Sequence, residues 1–161
     1  MKKLIGLLAI IILTSSTGQA RYNPKYDRYI TKENLVGFVK EAVYYAKIYG
    51  KKAALDEYKD KNGLFVRGEL YIYAYDQKCR VLSHGANPDL IGKDLSMLED
   101  SRGTLFIKEM VKQIDHKGKG WLKFFWFHPA TKRITPKLGY FEKVDNTWWI
   151  GSGIYLDQID E

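Results

Sequence analysis

Six consecutive residues, Leu70 to Tyr75, alternate Tyr71, Tyr73 and Tyr75 with Leu70, Ile72 and Ala74. Alternation with a period of two marks a β-strand. Here both parities are apolar or aromatic, so neither face of the strand suits water. A strand of this kind has to be covered on both sides. The chain therefore needs a sheet with one layer above it and another below.

The sequence around this strand supplies those layers. Asp76 to Lys78 turns the chain and Arg80 to His84 returns as a second strand. Asn87-Pro88-Asp89 is turn chemistry, and Asp94 is placed to cap a single helical turn over Leu95 to Leu98. Ser101 is placed to cap a helix in which Ile107, Met110, Val111 and Ile114 form one apolar stripe. Lys117 and Gly118 end it with a basic last turn and a C-cap glycine. Trp121 to Phe127, Lys137 to Val144 and Thr147 to Tyr155 have strand character. Pro129 to Pro136 forms a long hairpin loop and Asp145-Asn146 a tight turn.

Upstream, Thr31 is an N-cap with Glu33 in the first turn, where the helix dipole favours an acid. Leu35, Phe38, Val39, Ala42, Ala46, Tyr49 and Ala53 recur at helical spacing, predicting a long amphipathic helix to about Lys59 with a kink at Gly50. Asn62-Gly63 stops it. The expected fold is α+β: a five-stranded antiparallel sheet, a long N-terminal helix on one face and a short helical connection over the other.

Met1 to Ala20 has the pattern of an export leader. Lys2 and Lys3 precede a ten-residue apolar run, Leu4 to Leu13, and Gly18 and Ala20 supply the small residues of a cleavage site. Ten residues fall short of the roughly 20 that span a bilayer, and no cysteine follows to take a lipid. The expected division is a signal peptide over 1–20, a tyrosine-rich lead-in over 21–30 and one domain over 31–161, exported to the periplasm or secreted. Loss of the leader removes two of the cations behind the formal charge of +7. The remainder favours anionic partners, but its lysines are scattered and nucleic acid is not an expected partner. Cys79 is the only cysteine, which rules out an intramolecular disulfide; it reads as an unpaired turn residue, the alternative being a thiol that pairs between chains.

Enzyme motifs are missing. No G-x-S-x-G, Walker or H-E-x-x-H word occurs, and Cys79 and His84, five residues apart, have nothing obvious to orient the imidazole. The three histidines lack metal-ligand spacing. No cofactor, metal or catalysis is expected.

The words themselves carry more. A-Y-D-Q-K-C-R-V-L-S-H, Asn87 to Leu95 (N-P-D-L-I-G-K-D-L), Gly120-Trp121 with Trp126, Pro136-Lys137 with Tyr140, and Gly151 to Tyr155 (G-S-G-I-Y) follow in order. Together they resemble the single Cache domain, a PAS-like extracellular sensor module, across about Glu33 to Asp157. Cys79 departs from the pattern, standing where Gly or Asn is expected in a turn. The resemblance implies a small-molecule sensor for an anionic metabolite such as a short organic acid or an amino acid. Its signal would feed chemotaxis or another transduction pathway through a separate membrane receptor or kinase, since the chain holds no output domain. The rival reading is a cell-envelope interaction module of the same fold. A homodimer through the N-terminal helix fits either.

Within that frame the ligand-site candidates are Lys137, His84, Trp126, Tyr73 and Tyr140. A carboxylate needs a cation or several N–H donors in a desolvated place, and Lys137, in the P-K word, is the best-placed cation. Lys132 and Arg133 sit in a hairpin loop and read as solvated. His84 either donates to a ligand oxygen, with pH-sensitive binding, or bonds loop backbone. His116 and His128 read as surface residues. Trp126, Tyr73 and Tyr140 are candidate walls. Lys137 and Tyr140 have opposite strand parity, so both can face one pocket only if a bulge near Gly139 intervenes. Gly151 and Gly153 leave room either for ligand or for a packed aromatic.

Overall fold

The structure is a computed structural model that describes residues 30–156. The expected signal peptide and nearly all of the lead-in fall outside the described residues. Among those described, no helix is long and apolar enough to cross a membrane.

The elements are α1 (Lys32–Tyr58), β1 (Val66–Arg67), β2 (Leu70–Tyr71), β3 (Tyr73–Asp76), β4 (Val81–His84), a 3-10 turn (Pro88–Leu90), α2 (Phe106–Lys117), β5 (Lys119–Phe127), β6 (Ile134–Asp145) and β7 (Trp148–Tyr155). Five strands form one antiparallel sheet in the order β4-β3-β7-β6-β5, and β1 pairs with β2 as a small ribbon. The fold is the expected α+β, PAS-like arrangement.

Both faces are covered, as the Leu70 to Tyr75 pattern requires. Leu70, Ile72 and Ala74 join α1 in one core with Trp148, Ile150 and Ile154. Tyr71, Tyr73 and Tyr75 join α2 in a second with Phe124, Phe141 and Trp149. β7 runs through the middle, and all eight of its residues are buried.

Thr31 caps α1, accepting from the Asn34 backbone N–H, and the Asn34 side chain accepts in return from the Thr31 N–H. Gly50 breaks the helix with φ 81 and ψ 164, backbone that glycine adopts without a Cβ penalty. The break resets the phase. Tyr49 and Ala53, expected on the apolar stripe, are exposed, and Ala54 and Tyr58 are buried instead. The Tyr58 hydroxyl donates to the Ala42 carbonyl at 2.6 Å. Sixteen residues of straight helix would hold these groups about 24 Å apart, so the second half of α1 folds back on the first.

Three local expectations are corrected. Leu95 to Leu98 forms a turn closed by Leu98 N–H on the Leu95 carbonyl, not a helical turn; Asp94 accepts from the Ser96 N–H instead. Ser101 does not cap α2, which begins at Phe106 without a side-chain cap. Asp100 does the local work, accepting from Arg102, Thr104 and, across to the sheet, Phe125. The β5–β6 loop is shorter than Pro129 to Pro136, because β6 pairs with β5 from Ile134. Cys79 occupies its turn at φ 63 and is buried and free.

Candidate functional site

Strand parity sends Tyr71, Tyr73 and Tyr75 to the α2 side of the sheet. The same side receives His84 from β4, Phe124 and Trp126 from β5 and Lys137 from β6. Phe106, Ile107 and Met110 of α2 close the space above them, and these residues line one internal cavity. Its free space is about 10 Å³, the room of a single water.

Four of the five candidates, Lys137, His84, Trp126 and Tyr73, thus meet at one cavity. Tyr140 does not. β6 pairs with β7 in unbroken register from Lys137 to Lys143, with no bulge at Gly139, so the parity conflict stands. Tyr140 packs with α1 on the opposite face, its ring 4.9 Å from that of Trp121 and its hydroxyl donating to Glu142.

Lys137 is only 1% exposed. Its ammonium lies over the rings of Tyr71 and Tyr155, 3.9 and 4.5 Å from their centroids, close enough for cation–π attraction. Burial lowers its pKa to about 7, against an opposing pull from Glu69. The cation is thus held at the edge of deprotonation. Gly153 makes its path possible. A Cβ there would stand 2.7 Å from Lys137 Cε and 2.9 Å from the Leu138 carbonyl oxygen. At Gly151 a Cβ would stand 2.5 Å from the Tyr73 ring. The two glycines admit a lysine stem and a packed aromatic.

His84 Nδ1 accepts from the Asn87 backbone N–H at 2.9 Å. In the neutral ring this leaves the hydrogen on Nε2 as a donor. Of the two expected roles the backbone bond is the one seen, and it sets the tautomer. Burial first, and then the Lys137 charge, lower its pKa to about 3. The ring stays neutral near pH 7, so the pH-sensitive group of the cavity is Lys137. His84 lies between Tyr71 and Trp126, with ring centroids 5.1 and 6.4 Å away.

The tyrosines are tied to the sheet. Tyr73 donates to the Ser152 carbonyl, Ser152 Oγ donates to the Tyr71 carbonyl, and the Tyr155 hydroxyl donates to the Phe127 carbonyl. The Tyr71 and Tyr155 hydroxyls lie 3.3 Å apart. Burial raises the pKa values of Tyr71 and Tyr73 well above the usual range, so both remain neutral donors.

His128 is not a surface residue. It is fully buried, stacked on Tyr155 at 4.1 Å with Nε2 3.1 Å from a Glu69 carboxylate oxygen. The sequence reading also passed over Tyr71, Tyr75, Phe106, Met110 and Phe124 as cavity walls. For Tyr71 and Tyr75 the signal was present, since they share parity with Tyr73.

The described residues hold no group of acids, histidines or cysteines fit for a metal. An antiparallel sheet with a helical layer on each face, and a cation, an imidazole and phenols gathered under one of those layers, defines a PAS-like sensor architecture. Residues 50–161 match the family of single Cache domain 2, and the chain belongs to that family. It is similar to the methyl-accepting chemotaxis protein McpP of Pseudomonas putida, with 30% identity over 90 residues, 55% of this chain. The match spans only 16% of that much longer relative. Among solved structures, a methyl-accepting chemotaxis protein from Vibrio parahaemolyticus superposes with TM-score 0.70 and 31% identity, covering 80% of this chain and 90% of that one. A Cache chemosensory domain described for carboxylic acid recognition gives TM-score 0.61 and 26% identity, over 78% of this chain and 88% of that one.

Proposed function

We propose that this Cache domain is an extracytoplasmic sensor for a small carboxylate, taken into the cavity under α2, and that it performs no catalysis. One observation carries the reading: the Lys137 ammonium is buried between two tyrosine rings at the cavity wall. Burying a cation is costly unless it is compensated, and an anionic ligand is a natural compensation. The carboxylate would accept from Lys137 Nζ and from His84 Nε2, with Tyr71, Tyr73 and Trp126 around its carbon chain. The carboxylic acid recognition named for one similar structure supports the same class. Free space for one water means that a ligand of a few carbons enters only as α2 or the 85–105 connection moves outward. That movement is the natural signal, passed to a separate membrane receptor or kinase. The exposed Tyr44, Ile48 and Tyr49 of α1 offer a homodimer face.

The tight cavity is also what favours a second reading, an envelope interaction module whose pocket is filled by its own side chains. Isothermal titration and thermal shift against a panel of short organic acids and amino acids separate the two. A binder at about a hundred times its dissociation constant adds about 2.7 kcal/mol of stability. A response lost in Lys137→Met supports the sensor. No response to any acid, in protein that melts cooperatively, favours the module.

A further inference from the structure

The α1 side of the sheet is not covered to its edge. α1 packs on β4, β7 and β6, leaving the outer part of the β5–β6 hairpin open. Four cross-strand pairs form this face: Trp121 with Tyr140, Lys123 with Leu138, Phe125 with Pro136, and Phe127 with Ile134. Trp121, Phe127 and Ile134 are 36, 46 and 58% exposed, an apolar row that a soluble face rarely carries without a partner.

Cations outnumber acids around the row: Lys32 and Lys40 line the groove at Trp121 with one acid, Glu33, and Glu142 is engaged by the Tyr140 hydroxyl. The Arg102 guanidinium lies over Phe125 at 4.5 Å, the Lys132 ammonium over Phe127 at 6.0 Å, and Lys123 stands between Trp121 and Phe125 in the strand. From His116 to Phe141 the chain has no acidic residue and six lysines and arginines, of which only Lys137 is buried. Beside Trp121 an open groove of about 520 Å³ is flanked by Lys40, Lys117 and Lys119. The nearby Asp100 is already engaged by three backbone N–H groups.

This combination selects among occupants. A peptide adding as a sixth strand meets an edge already capped. Phe125 N–H is bound by Asp100, and the Gln113 side chain donates to the Trp121 carbonyl. A second copy of the chain would set these cations against themselves. A flat row of rings with cations laid along it suits the headgroup zone of a bilayer, where aromatic bodies bury and long basic side chains reach phosphate. We propose that the α1-side face of the β5–β6 hairpin docks on an anionic phospholipid surface.

Tryptophan emission tests this directly. Trp148 and Trp149 are fully buried and Trp126 faces the cavity, so Trp121 is the residue that lipid reaches. With the full chain, vesicles of brominated phosphatidylglycerol should quench emission, and brominated phosphatidylcholine should not. Trp121→Phe should remove most of the quenching. Reversal of Lys123, Lys132 and Arg133 to glutamate should weaken it, with about a hundredfold loss of affinity at 0.1 M salt. These residues are exposed, so the variants keep the fold, which their melting curves check. Attachment through the apolar leader would persist in both variants. Quenching that is equal on neutral lipid, or unchanged by the charge reversal, overturns the proposal. So does a lipid-free dimer, seen by sedimentation, that Trp121→Phe dissolves.

Discussion

Lys137 and His84 share a cavity, yet they titrate in different ranges, about 7 for the lysine and about 3 for the imidazole. In the free domain Lys137 loses its proton near pH 7, and only the ammonium form suits a carboxylate. Affinity for the ligand should hold below pH 7 and fall by up to tenfold per pH unit above it, until the pKa of the occupied site is passed. Titration calorimetry from pH 6 to 9 checks this; a flat profile removes Lys137 from the site. Stability follows its own signs. Unfolded, the lysine binds its proton up to about pH 10.5, so the unfolded chain holds more protons between pH 7 and that value, and stability rises with pH there. Lys137→Met should therefore stabilise the domain by a few kcal/mol (~2–4) at pH 6, and the gain should shrink by pH 9, as read by urea denaturation. His84 acts in the acid range. Its pKa falls from 6.5 to about 3 on folding, so it costs stability progressively as pH drops below 6.5. His84→Gln should flatten that part of the urea midpoint profile.

At the scale of elements, β7 and α1 each depend on glycine. Gly153→Ala would drive a methyl group against the Lys137 stem and a backbone carbonyl, and Gly151→Ala would press on the Tyr73 ring. Overpacking of this kind typically costs about 1–3 kcal/mol. Gly153→Ala should also displace the ammonium, so acid binding should fall further than stability, a difference visible when thermal melts and titrations are compared. Gly50 serves another purpose. No neighbour lies within 4 Å of a Cβ placed there, but φ is 81, so Gly50→Ala should destabilise by about 1 kcal/mol through strain alone. If α1 also forms a homodimer, Ile48→Glu should return it to a monomer in sedimentation while leaving the melting temperature nearly unchanged.

For the molecule as a whole, legibility in the sequence followed the reach of each signal. The alternation at Leu70 to Tyr75 demanded two covering layers, and α1 and α2 supply them. The parity of Lys137 and Tyr140 was also legible, and regular pairing keeps them on opposite faces. What local signals could not carry were positions set by long-range contact. His128 sits in a hairpin loop by sequence, yet the loop folds onto Tyr155 and buries it. Phe106, Met110 and Phe124 belong to apolar stripes that any core would show, and only the crossing of α2 over β5 makes them cavity walls. The phase change at Gly50 was equally hidden, because a kink site can be read from glycine but its φ cannot.

The order of strands also governs when the fold can form. β7 is the last strand among the described residues and the middle one in space, pairing with β3 on one side and β6 on the other. Until it is made, the β3–β4 and β5–β6 hairpins have nothing to join them, and the buried residues of both layers lack their common floor. A chain that lacks β7 cannot complete its sheet. Deletion from Trp148 onward should leave a chain without cooperative melting. Slow refolding is expected as well, since so many contacts wait on the C-terminal strand.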